Sequence, residues 1–211
     1  ESYVREITVD SRGRAKGAVY EDAQGKLVEQ EADVVILACG AVETARLMLL
    51  SQSGRFPHGI ANSNDLVGRN VTFHEYSAAV GVFDDPIYAW AGGGYVSASS
   101  FQFYEHDERR GFAGGGHIAS AGVGIPLPIN WSLPDRPAWG AGAKQVDRDY
   151  FNHSMAAAMV VHDLPQHDNR VDLDDAVTDA WGLPVARITL KPHQNDLAMG
   201  RFLIDRNAEI L

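Results

Sequence analysis

The sequence predicts an α+β fold in two parts: strands and a helix over residues 1–75, then a largely antiparallel sheet with flanking helices over residues 76–211. Three observations predict it. Residues 33–51, DVVILACGAVETARLMLLS, set an unbroken apolar run (Val34, Val35, Ile36, Leu37) before a glycine turn and a stretch of helical spacing. Such a run fits a strand covered on both faces, as parallel strands are. From Tyr76 onward, short segments alternate small and large or apolar and polar residues, the mark of antiparallel strands. Residues 194–211 repeat apolar positions at helical spacing.

Taken in order, Val4, Ile7 and Val9 lie in a first strand, and Asp10, Ser11, Arg12 and Gly13 supply a turn. Residues 17–20 form a second strand, residues 22–25 a turn, and residues 27–32 a more polar third strand. This meander leads into the buried strand at 34–37. Ala38, Cys39, Gly40 and Ala41 then bring small side chains to its carboxyl end, where ligands of α/β sheets approach the backbone. Gly40 permits a sharp turn. From Val42 a helix is expected to bury Leu47, Met48 and Leu50.

Residues 53–65, rich in Gly, Pro, Asn and Ser, read as a loop. In residues 66–74, LVGRNVTFH, the polar Arg69, Asn70 and His74 are expected to tie the chain down by hydrogen bonds. Strands are expected at 76–83, 95–104, 112–121 (interrupted by Gly114, Gly115 and Gly116), 155–161, 169–173 and 185–190. Pro126, Pro128, Pro134 and Pro137 punctuate an irregular excursion. Residues 144–151 fit a short helix, and 194–211 a longer one with Met199, Phe202, Leu203, Arg206 and Ile210 on one face. In the strand at 95–104, alternation places Tyr95, Phe101 and Phe103 together on one side, a candidate wall for a substrate.

Composition narrows the function. Hydrophobic residues at 45% suffice for a core. A net charge of −10 without a basic cluster argues against nucleic acid as a partner. No apolar run in the sequence reaches the length of a membrane span. The single cysteine excludes an internal disulfide, which fits either the cytoplasm or the periplasm. Eight histidines include no HExxH pattern and no Cys/His quartet, so no metal site is expected. No serine sits in a G-x-S-x-G elbow, and Gly92–Gly93–Gly94 lacks phosphate-loop spacing. Residue 1 begins in mid-structure without an initiator Met, and a fragment of a longer protein is expected.

The ordered segments GRAKGAVYEDAQG, ADVVILACGAVETARLMLLS, FPHGIANSNDLVGRNVTFH and LPQHDNRVDLDDAVTDAWGLPVARITL together resemble the middle of a glucose-methanol-choline (GMC) oxidoreductase. In that family's second signature, Gly-Ala is followed by Thr or Ser, then Pro, and an apolar run ends in Ser-Gly. Gly40, Ala41, Thr44 and Ser51 match, while Ala45 replaces the Pro and Gln52 the Gly. The resemblance implies part of an FAD-binding domain over 1–75 and a substrate-binding domain over 76–211. It also implies that Ala38, Cys39 and Gly40 line the flavin site. It further implies hydride transfer from an alcohol or sugar to FAD, with an electron acceptor of unknown kind. The G-x-G-x-x-G motif is absent from this sequence, and the resemblance puts the catalytic histidine pair beyond Leu211. None of this chain's residues is assigned the catalytic base, and activity from the fragment alone is not expected. A stand-alone carbohydrate-binding module using the aromatic sheet face is the alternative.

Overall fold

The computed structural model describes residues 2–91, 96–121, 137 and 139–211. The chain forms two units, one of Glu1–Thr72 with Pro165–Lys191, the other of Phe73–Leu164 with Pro192–Leu211. The segment 165–191, read from sequence as part of 76–211, therefore lies in the first unit.

In the first unit, β1 (Tyr3–Val9), β2 (Ala15–Glu21) and β3 (Leu27–Glu31) form an antiparallel meander in the order β1-β2-β3. Asp10 and Asp22 close its turns by accepting backbone N–H groups from Arg12 and Arg14, and from Gln24 and Lys26. Helix α1 (Ala41–Leu50) packs against β1 and against a later hairpin of β8 (Arg170–Thr178) and β9 (Pro184–Thr189). Ser51 joins helix to meander: its hydroxyl accepts the Ile7 N–H at 2.8 Å and donates to the Leu47 carbonyl at 2.6 Å.

The expected buried strand at 34–37 is not formed. These residues are irregular, with Val34 75% and Ile36 83% exposed, while Val35 and Leu37 are half-buried. A parallel strand needs neighbours on both sides, and among the described residues every paired strand is antiparallel and none pairs with this segment. The buried stripe of α1 also differs from expectation. Ala45, Arg46 and Leu47 are buried, while Met48 and Leu50 are half-buried. A charged residue occupies the inner face because its charge is paired there.

In the second unit, β4 (Glu75–Val82), β5 (Val96–Ser100), β6 (Gly116–Ala121) and β7 (Ser154–Val161) form an antiparallel sheet ordered β4-β7-β6-β5. Helix α2 (Gly140–Tyr150) precedes β7. Helix α3 (Gln194–Ile210) lies on β4 and β7, and its start is capped by the His193 ring accepting the Asn195 N–H at 3.0 Å. The core joins Met199 and Leu203 of α3 to Ile118, Met159 and Val161 of the sheet, with Phe112. Ile210, expected on the buried face with Met199 and Leu203, is exposed at the last residue of the helix. Gly92–Gly93–Gly94 and Pro126, Pro128 and Pro134 fall outside the described residues.

Candidate functional site

The first unit holds a half-open cavity of about 660 Å³ between the start of α1 and the loop at 61–68. Leu37, Ala38, Gly40, Ala41, Thr44 and Met48 line one side; Ala61, Asn64, Leu66, Val67 and Gly68 line the other. Small side chains before α1 create the space. Gly40 has φ +80°, and a Cβ built there would meet nothing within 4 Å, so the backbone stands open to a ligand. The first intrahelical bond is Thr44 N–H to the Gly40 carbonyl, which leaves the preceding N–H groups of the turn without helical partners.

The loop opposite is held in an uncommon shape. Ala61, Asp65 and Asn70 all adopt left-handed backbone (φ 55°, 55° and 57°), a conformation that non-glycine residues occupy at a cost. Asn62 pins it, donating to the His58 carbonyl at 2.9 Å and accepting the Val67 N–H at 3.0 Å. Gly68 lets the loop touch β8: a Cβ there would sit 2.1 Å from the Val171 carbonyl oxygen, and the Val171 N–H donates to the Gly68 carbonyl at 2.8 Å. Arg69 bonds Asp65 at 2.6 Å, so part of the polar tie-down expected from residues 66–74 is visible.

Arg46 fixes the helix that carries the site. Arg46 is 5% exposed, and its guanidinium donates to Asp179, Tyr3, Glu43 and the Pro184 carbonyl, at 2.5, 2.9, 3.2 and 2.8 Å. Tyr3 donates to Asp179 at 3.0 Å and stacks on Trp181 at 3.9 Å. Burial pushes the Asp179 carboxyl up, but hydrogen bonds from Arg46, the Leu183 N–H, Tyr3 and the Trp181 N–H outweigh it and hold the group at about 2.

Of the predicted cofactor residues, Ala38 and Gly40 line the cavity; Cys39 is exposed and is not among the lining residues. Sequence reasoning missed Thr44, Met48 and the 61–68 wall, whose only signal was the Gly and Asn content of the loop. A second cleft, of about 530 Å³ beside β2 and β3, is charged, but Arg14 pairs with Asp10 and Lys16 with Glu31.

Of the predicted substrate residues, Tyr95 lies outside the described residues. The expected strand at 95–104 ends at Ser100, and the chain turns, with the Tyr104 N–H donating to the Phe101 carbonyl at 3.1 Å. Phe101 and Phe103 therefore part. Phe101 is 62% exposed and stacks on the His117 ring at 5.4 Å, whereas Phe103 packs edge-on against Phe202 and under Arg110. The same unit gathers Glu75, Asp163 and Asp196. Burial first, then the charges of Asp163 and Asp196, push the Glu75 carboxyl up.

The chain thus combines helices and antiparallel sheets in two units, the first of which carries an uncharged cavity at the start of a helix. Its architecture is shared with formate oxidase of Aspergillus oryzae RIB40, at a TM-score of 0.66 and 16% identity, covering 100% of this chain and 43% of that one. A family model for the GMC oxidoreductases matches residues 1–76. Similarity to curated GMC-type relatives continues through the rest. A 2-methyl-1,2-propanediol dehydrogenase of Mycolicibacterium austroafricanum is 32% identical, over 92% of this chain and 36% of its own length. The gluconate 2-dehydrogenase flavoprotein of Pantoea cypripedii is 31% identical, over 97% of this chain and 34% of its own. A fructose dehydrogenase large subunit of Gluconobacter japonicus is 29% identical, over 87% and 33%. The chain belongs to the GMC oxidoreductase family, and it spans about a third of the length of these relatives. Among the described residues no helix is long and apolar enough to cross a membrane.

Proposed function

We propose that this chain forms part of an FAD-dependent oxidoreductase acting on the CH–OH group of an alcohol or sugar. The observation that carries the reading is the cavity bounded by Ala38, Gly40 and the 61–68 loop, inside the stretch matched by the family model. Its walls fit the flat, weakly polar part of a flavin: no lining residue is charged, and the open side of Gly40 allows a ring system to approach the backbone. Bound FAD supplies the acceptor for the hydride that leaves the alcohol carbon. The residues of this chain position and shield. Ala38 and Gly40 set the distance of approach, Met48 and Leu66 contribute apolar surface that keeps water from one side, and Arg46 holds α1 in place.

The test is made on the flavoprotein that carries this chain. Purified protein is expected to hold FAD, and the flavin absorbance is expected to bleach under anaerobic conditions on adding fructose, gluconate or a 1,2-diol. Reoxidation in parallel by oxygen, a quinone, a cytochrome or a dye identifies the acceptor. Protein that purifies without flavin, or flavin that none of these substrates bleaches, overturns the reading.

A further inference from the structure

We infer that Phe101, Tyr104, His117 and His162 form a sugar-binding wall, a substrate subsite of the oxidoreductase proposed above, on which this inference rests. All four belong to the second unit. Their rings run in one connected row. His117 stacks on Phe101 with centroids 5.4 Å apart and planes 16° from parallel; Phe101 meets Tyr104 edge-on at 5.8 Å; Tyr104 meets His162 edge-on at 4.9 Å.

Position in the sheet explains the row. His117 lies opposite Val160 in the β6–β7 pairing, so it shares a face with Val160 and, two residues on, with His162. That face is opposite the one on which Ile118 and Met159 meet α3. The turn after β5 then swings Phe101 and Tyr104 over this end of the sheet. Neither is used by the core, since Phe101 is 62% and Tyr104 42% exposed.

The chemistry of the row is two-sided. Phe101 over His117 offers a flat apolar face, the surface that the C–H side of a sugar ring covers. The imidazoles add hydrogen-bonding groups at its edge. His162 Nδ1 accepts the Gly115 N–H at 3.3 Å, which leaves its proton on Nε2 as a donor for a hydroxyl oxygen. That Nε2 has no partner among the described residues. An aromatic face rimmed by imidazole hydrogen-bonding groups suits a cyclic sugar better than a short-chain diol, which has too little C–H surface to cover two stacked rings.

The experiment compares steady-state kinetics of the flavoprotein with fructose and with 1,2-propanediol, measuring flavin content of every variant. Phe101→Ala is expected to raise KM for the sugar about tenfold, the size of one aromatic stacking contact, and KM for the diol by clearly less, with FAD content little changed. Phe101→Tyr is expected to restore KM, because the flat ring returns. His162→Gln, whose amide N–H can stand where Nε2–H stood, is expected to keep most of the sugar affinity that His162→Ala loses. Wild-type flavin that sugars reduce, together with an unchanged sugar KM in Phe101→Ala and His162→Ala, overturns the wall and leaves the oxidoreductase reading intact. A wild-type protein without flavin overturns both. Should His162→Ala fail to fold, the exposed Phe101 pair of variants decides alone.

Discussion

Arg46 and Asp179, 133 residues apart in sequence, meet at 2.5 Å between Nη2 and Oδ2. The helix that borders the candidate flavin cavity is thereby tied to the turn of the β8–β9 hairpin. Both side chains are largely buried, so losing one partner strands the other charge away from water. Arg46→Ala is expected to cost about 3–5 kcal/mol, read as a lower midpoint in urea denaturation. Arg46→Lys is expected to recover only part, since one ammonium cannot reproduce a fork that reaches Asp179, Tyr3 and the Pro184 carbonyl.

The same pair sets an acid limit. Asp179 titrates at about 2 in the folded chain and at about 3.9 when unfolded. A depressed carboxylate stabilises the fold fully above the unfolded value, and that contribution is lost as pH falls from about 4 toward 2. Denaturation midpoints measured across pH 2–7 are expected to drop in this window. Asp179→Asn should start lower and show a smaller drop; a drop of unchanged size would assign the acid sensitivity to other groups.

Two glycines on one cavity answer differently to the same methyl group. Gly68→Ala drives a Cβ to 2.1 Å from the Val171 carbonyl oxygen at φ +79°, and is expected to cost about 2–5 kcal/mol. Gly40→Ala meets no atom within 4 Å, so only the left-handed backbone is penalised, by about 1–2 kcal/mol. Flavin content separates the two further. In the flavoprotein, Gly40→Ala is expected to lose FAD at a stability that leaves the fold intact, measured as the absorbance ratio of flavin to protein.

Glu75 works in the opposite sense to Asp179. Its carboxyl is pushed up by burial and by the neighbouring charges of Asp163 and Asp196. Those neighbours are held in place: Asp163 accepts the Phe73 N–H at 2.8 Å and Asp196 the Leu164 N–H at 3.3 Å. A raised carboxyl favours the fold most when protonated, so stability falls as pH rises through the raised value. Glu75→Gln is expected to match the parent at pH 4 and to exceed it at pH 7–8 in thermal unfolding. Equal behaviour at both pH values would mean that the charge is not strained.

Val34 and Ile36 project from an irregular segment that pairs with none of the described strands, exposed apolar surface on which a second chain can pack. The 211-residue chain is expected to self-associate with rising concentration, followed by light scattering, and Ile36→Lys to delay it. An unchanged onset would place the sticky surface elsewhere.

Much of this architecture was legible in residue order because it is local. The meander, α1, β4, β7 and α3 each carry their own turn residues, caps or periodicity. What the sequence hid is what neighbours decide. An apolar run at 34–37 reads as doubly covered, yet its cover would have to come from strands that the described residues do not contain. Arg46 looks like a surface residue until Asp179 arrives from the hairpin. Alternation suggested one aromatic face at 95–104, but the turn at Phe101 separates two rings that spacing had joined. Of the candidate site, the Ala38–Gly40 side was readable from its small residues. The 61–68 side was readable only as a Gly- and Asn-rich loop, because the left-handed turns at Ala61 and Asp65 that shape it are set by their surroundings.

Cys39 is the sole cysteine of the chain, exposed, and set between two residues of the cavity wall. A thiol-directed fluorophore can therefore be attached at one defined position without first removing competing sites. Its emission would report quenching by a flavin ring stacked nearby, turning an accident of composition into a built-in gauge of cofactor occupancy.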